Sequence, residues 1–157
     1  MSAGGEAGCL DRWFLRPWWV IDPLPRQAPA GGRYFAVEDF LLRRWGDLRQ
    51  RQARLLLKLN CYYRLRLTRD PEGPWLTDPD PDRLADWLEA WREPEGPPES
   101  LWVLVGADEG LLTGSGDDLN LTLWDPSADL LDLAGELARS EGLFLWQPPG
   151  QGETDGS

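Results

Sequence analysis

Two glycines and two adjacent carboxylates stand within five residues in Gly114-Ser115-Gly116-Asp117-Asp118, with Trp124-Asp125-Pro126 close behind. Such a group can cradle a phosphate, hold a metal ion or turn a hairpin. A dinucleotide loop needs a third glycine in GxGxxG spacing before a helix, and a P-loop needs a terminal Gly-Lys-Ser/Thr; the stretch has neither. Asp117 and Asp118 would also repel a phosphate. In an extended chain, neighbouring side chains point to opposite faces, so the pair does not converge on one metal ion. Glycine for positive φ and Asp for turn polarity suffice for a hairpin. The expectation for Gly114 to Asp118 is therefore an exposed turn between antiparallel strands.

A second acidic group, Asp78, Asp80, Asp82, Asp86 and Glu89, falls at positions 1, 3, 5, 9 and 12 of a calcium-loop template. Position six is Arg83 where the loop requires glycine. Leu84, Trp87, Leu88 and Trp91 follow at i, i+3, i+4 and i+7, which demands helix in place of loop. Asp80 as N-cap and Pro81 as first helical residue account for the acids better.

Histidine is absent from all 157 residues. That removes the usual general base and the commonest transition-metal ligand, and with them Ser-His-Asp, Cys-His and HExxH chemistry. Two cysteines, Cys9 and Cys61, exclude a four-cysteine metal site, and Cys61 is expected as a small core hydrophobe. No catalytic residue, cofactor or metal ligand is assigned.

Charge is divided unevenly along the chain. Residues 1–69 hold 13 basic and 6 acidic side chains, a formal +7, and residues 70–157 hold 3 basic and 21 acidic, a formal −18. The basic run Arg43, Arg44, Arg49, Arg51, Arg54, Lys58, Arg64, Arg66 and Arg69, with Tyr62 and Trp45 near it, could follow a nucleic-acid backbone. The overall charge of −11 repels polyanions, so pairing of that run with the acidic half is the favoured reading.

The elements that must position these residues read as one α+β domain over residues 12–147. It is expected between a flexible N-terminus at 1–11 and a disordered tail at 148–157. The order is β-α-β-α-β-β-β-α-β, a mixed, mostly antiparallel sheet of five to six strands with three helices. Residues 12–22 read as a strand interrupted or edge-placed at Pro17, and residues 36–52 as a helix with Val37, Phe40, Leu41, Trp45 and Leu48 on one face. Residues 55–67 alternate, with Leu55, Leu57, Leu59, Cys61, Tyr63, Leu65 and Leu67 apolar. This predicts a long strand with one buried face. A helix opened by Asp125-Pro126 buries Leu130, Leu131, Ala134, Leu137 and Ala138 and ends at Gly142.

Ten tryptophans supply ample bulk for a core, where the patterns place Trp87, Trp91 and Trp102, and Trp is also enriched at binding hot spots. Trp18 and Trp19 are adjacent, so in a strand they face opposite ways, and one of the two is expected as an exposed anchor unless both faces are covered. The functional expectation is a non-enzymatic protein-binding module that sequesters a basic protein, as an immunity-type inhibitor sequesters a nuclease toxin. Asp108, Glu109, Asp117, Asp118, Trp18 and Trp19 are its candidate contacts. The alternatives are a carboxylate-dependent enzyme and a nucleic-acid-associated protein using the basic segment 43–69. No apolar run reaches the roughly 20 residues of a membrane span, and the start lacks a basic-then-apolar signal. A cytoplasmic location without a membrane segment is expected.

Overall fold

A computed structural model describes residues 10–44, 47–92, 99–115 and 118–149. The N-terminal and C-terminal extremes beyond them, Trp45, Gly116 and Asp117 lie outside the described residues. The described residues form one seven-stranded sheet and four α-helices, more strands and helices than the pattern predicts. The strands are β1 (Trp18–Asp22), β2 (Leu65–Thr68), β3 (Leu76–Thr77), β4 (Ser100–Val105), β5 (Gly110–Ser115), β6 (Leu121–Trp124) and β7 (Phe144–Trp146). The helices are α1 (Tyr34–Arg44), α2 (Asp47–Leu59), α3 (Pro81–Arg92) and α4 (Ala128–Ser140). The spatial order is β3-β2-β4-β5-β6-β1-β7, and every neighbouring pair is antiparallel.

Residues directly opposite in a ladder share a face, so the register sorts the sheet into two sides. Leu65, Leu67, Leu101, Val103, Val105, Leu112, Leu121, Leu123 and Ile21 occupy the first side and form one buried core with α2, α3 and α4. Trp18, Val20, Asp22, Trp102, Leu104, Leu111, Trp124 and Trp146 occupy the second. A 3-10 helix at Asp11–Leu15 lies over part of that second side, seating Leu10 and Trp13 against Leu111. The long strand expected over residues 12–22 is thus a 3-10 turn followed by the short β1.

The larger correction concerns residues 55–67. They are not one strand: Leu55 to Leu59 complete α2, and only Leu65 to Thr68 enter the sheet. Leu48, Gln52, Leu55, Leu56 and Leu59 are the buried residues of α2, at i, i+4, i+7, i+8 and i+11, which is helical spacing. Leucine, arginine, lysine and glutamine are good helix formers, and residues 47–59 contain no β-branched residue. Cys61 is exposed, against the expected core position. The expected helix 36–52 is likewise two helices, and Val37 and Phe40 of α1 are exposed, as α1 has no fully buried residue.

Helix ends follow the sequence more closely. Asp80 accepts the Arg83 N–H at 2.9 Å on its side chain, and Pro81 opens α3. The cap of α4 is Ser127, two residues later than Asp125, accepting the Leu130 N–H at 3.2 Å. At its other end Gly142 takes φ +73°. Its N–H and that of Leu143 return to the Arg139 and Ala138 carbonyls at 3.1 and 2.8 Å, a Schellman closure with Leu143 buried behind it.

Candidate functional site

β5 and β6 are joined as a hairpin, as expected, but Gly114 is not part of its turn. It sits in β5 opposite Leu121, and a Cβ on Gly114 would lie 2.6 Å from the Leu121 Cδ2. The glycine is there to let a leucine of the next strand reach the core. Asp118 is exposed, and its carbonyl and that of Ser115 each accept an Arg49 N–H at 2.8 Å, which ties the turn to α2.

Asp108 and Glu109 lie at the β4–β5 turn, whereas Asp118 lies at the β5–β6 turn. The six residues of β5 separate them by roughly 20 Å, so Asp108 and Glu109 do not form one patch with Asp118; Asp117 lies outside the described residues. Asp108 also binds Arg12 at 2.9 Å. The basic segment is engaged too. Arg54 and Lys58 reach Glu141 at 2.7 and 2.6 Å, Arg69 reaches Glu99 at 3.2 Å, and Arg43 and Arg51 pair along their own helices with Asp39 and Asp47. Arg66 and Arg69 also lie over the rings of Trp75 and Trp87. Acids of the second half thus neutralise part of the first.

Trp18 and Trp19 do face opposite sides, and both are half-buried. Trp19 borders a recess with Gly135, Glu136 and Arg139 of α4. Trp18 belongs to the other side, and there the aromatic residues converge. Phe14 meets Trp124 and Trp102 edge-on at 4.9 and 5.9 Å between centroids, and Trp18 meets Trp124 at 5.7 Å. Beyond Trp18 the row ends in a cleft of about 650 Å³, walled by Trp18, Trp146, Tyr34 and Phe35 and rimmed by the loop 27–32. The Trp146 indole N–H donates to the Leu24 carbonyl at 3.0 Å, which fixes that wall.

Asp22, 2% exposed, lines the same cleft. Its one hydrogen bond among the described residues comes from the Leu24 N–H, at 3.1 Å, and no cation pairs with it there. Burial, opposed by that hydrogen bond and reinforced by Glu38, raises its carboxyl above the ordinary carboxylate value. Burial and the nearby Asp22, Glu38 and Asp118 push the Tyr34 hydroxyl up as well, and Tyr34 donates to Glu38 at 3.4 Å. The cleft is therefore aromatic in its walls and anionic in its field.

No family model, characterised protein or solved structure matches the chain. Among the described residues no group of three or more Asp, Glu or Cys is placed to hold a metal ion, and no helix is long and apolar enough to cross a membrane. Of the expected contacts among the described residues, Trp18 alone lines the cleft; Asp22, Tyr34, Phe35 and Trp146 were not among the expected contacts. Asp22 precedes a proline and reads in sequence as a turn former, which it also is, through its bond to Leu24. Its position on the Trp18 side follows only from strand alternation once β1 is known to start at Trp18.

Proposed function

We propose that the chain is a non-enzymatic binding module for a basic protein, engaged through the aromatic side of its sheet. One observation carries this reading. An antiparallel sheet with helices on one side ordinarily shows polar residues on the other, whereas here that side holds half-buried Trp18, Trp102, Trp124 and Trp146, with Phe14 37% and Leu15 91% exposed beside them. Aromatic residues gathered at the surface mark a partner contact. The charge of −11 favours a basic partner and speeds encounter with it. Sequestration of a nuclease, in the manner of an immunity protein, is the specific form this reading takes.

The test uses the chain as bait in extracts of its own cells, with calorimetry on the recovered protein. Wild type is expected to retain one basic protein in stoichiometric amount. Phe14→Ala with Trp18→Ala is expected to weaken that complex at least about tenfold, and Trp19→Ala, on the helix side, to leave its affinity near wild type. Full affinity in the double variant would remove the aromatic side as the interface.

A further inference from the structure

The cleft at the end of the aromatic row is chemically unlike the rest of that surface. Elsewhere that side carries cations or paired charges: Arg66 lies over Trp75, and Arg16 pairs with Asp125. Here Trp18, Trp146, Tyr34 and Phe35 surround a volume of about 650 Å³, within the usual range for a ligand site, and Asp22 lines it. A carboxylate that is 2% exposed, with one backbone hydrogen bond and no cation among the described residues, is an unfinished arrangement. Its neighbours add negative charge: Glu38 from α1 and Asp118 from the β5–β6 turn, while the Tyr34 hydroxyl stays protonated and donates to Glu38. Aromatic faces around a desolvated anion select an organic cation, because the ring quadrupoles and the carboxylate attract the same guest. Phe35, 79% exposed, stands at the mouth as a lip that such a guest would cover.

We infer that this cleft receives a basic side chain, lysine or arginine, of the protein partner, with Asp22 as its counter-ion and Trp18 and Trp146 as its walls. The inference rests on the binding-module reading, and it assigns the specificity of that module to one position. The aromatic row supplies contact area, and the cleft requires one cation at a fixed distance along the partner's surface.

Calorimetric and NMR titrations with Nα-acetyl-lysine methylamide, Nα-acetyl-arginine methylamide and the uncharged Nα-acetyl-norleucine methylamide test it. A cationic probe is expected to bind in the millimolar range or tighter and at least about tenfold better than norleucine, with shifts confined to Trp18, Trp146 and Tyr34. Asp22→Asn, which keeps the shape and the acceptor for Leu24, is expected to abolish that preference. Trp18→Leu serves as the second variant and should weaken the cationic probes. Equal binding of lysine and norleucine probes, no binding at 10 mM probe (about the weakest measurable site), or unchanged lysine binding in Asp22→Asn would overturn the inference. If the probes fail while the extract still yields a partner lost with Phe14 and Trp18, the cleft assignment falls and the module stands. Probe binding with no protein retained would sink the module, and the partner as source of the cation with it.

Discussion

Asp22 carries a cost that its surroundings do not offset. A carboxyl whose folded value is raised holds a proton that the unfolded chain has lost, so stability falls as pH rises from the ordinary 3.8 through the raised value. Below 3.8 both states are protonated and the cost vanishes. Asp22→Asn is therefore expected to unfold at a higher temperature than wild type at pH 7, with the gain disappearing by pH 3.5, about where both states hold the proton. Calorimetric melts at the two pH values check this, and an equal gain at both would assign the effect to packing. Gly114 makes the opposite point about size. Leu121 is fully buried, so its methyl has nowhere to retreat from an added Cβ, and Gly114→Ala is expected to cost about 1–3 kcal/mol in urea unfolding.

The element that most needed correction is α2, and its register can be tested by single side-chain truncations. Leu56 is fully buried and Leu57 half-buried in the helix; a strand through residues 55–67 would bury Leu57 and turn Leu56 outward. Leu56→Ala is expected to cost about 2–5 kcal/mol and Leu57→Ala well under half of that, and the reverse order would restore the strand. α2 is also pinned to the end of α4 by Glu141. Burial alone would raise that carboxyl, but hydrogen bonds and charge from Lys58 and Arg54 outweigh it and hold it below the ordinary 4.5. The stabilisation is thus complete above 4.5 and lost as pH falls through the depressed value. Because both cations are half-exposed and screened, Glu141→Gln is expected to cost only about 1–2 kcal/mol at pH 7, and less at pH near 3, by urea titration.

At the scale of the whole molecule the two ends of the sheet are not equivalent. The cleft lies at the end where Leu119 and Asn120 lead into β6, the end that also holds Asp118, while Asp108 lies at the far end, paired with Arg12. If the partner approaches the cleft, Asp118→Asn is expected to slow association by about two- to threefold at low salt, and Asp108→Asn to change it less. Stopped-flow rates against ionic strength measure both. Equal salt slopes for wild type and Asp118→Asn would place the encounter elsewhere on the molecule.

Segments whose signal is local were legible in the sequence. The cap at Asp80, the glycine closure at Gly142, the strands β4 to β7 and the amphipathic faces of α3 and α4 each depend on residues within a few positions of one another, and the structure holds all of them. Residues 55–67 were not, because leucine at every second place satisfies a strand while Leu48, Gln52, Leu55, Leu56 and Leu59 satisfy a helix. Burial against α3, α4 and the sheet is what selects between them. The absence of histidine and the division of charge could be read directly, as neither depends on folding. The cleft could not. Its walls come from β1, β7 and the start of α1, more than 110 residues apart in the case of Trp18 and Trp146, and a buried carboxylate between aromatic rings exists only after β7 has paired with β1.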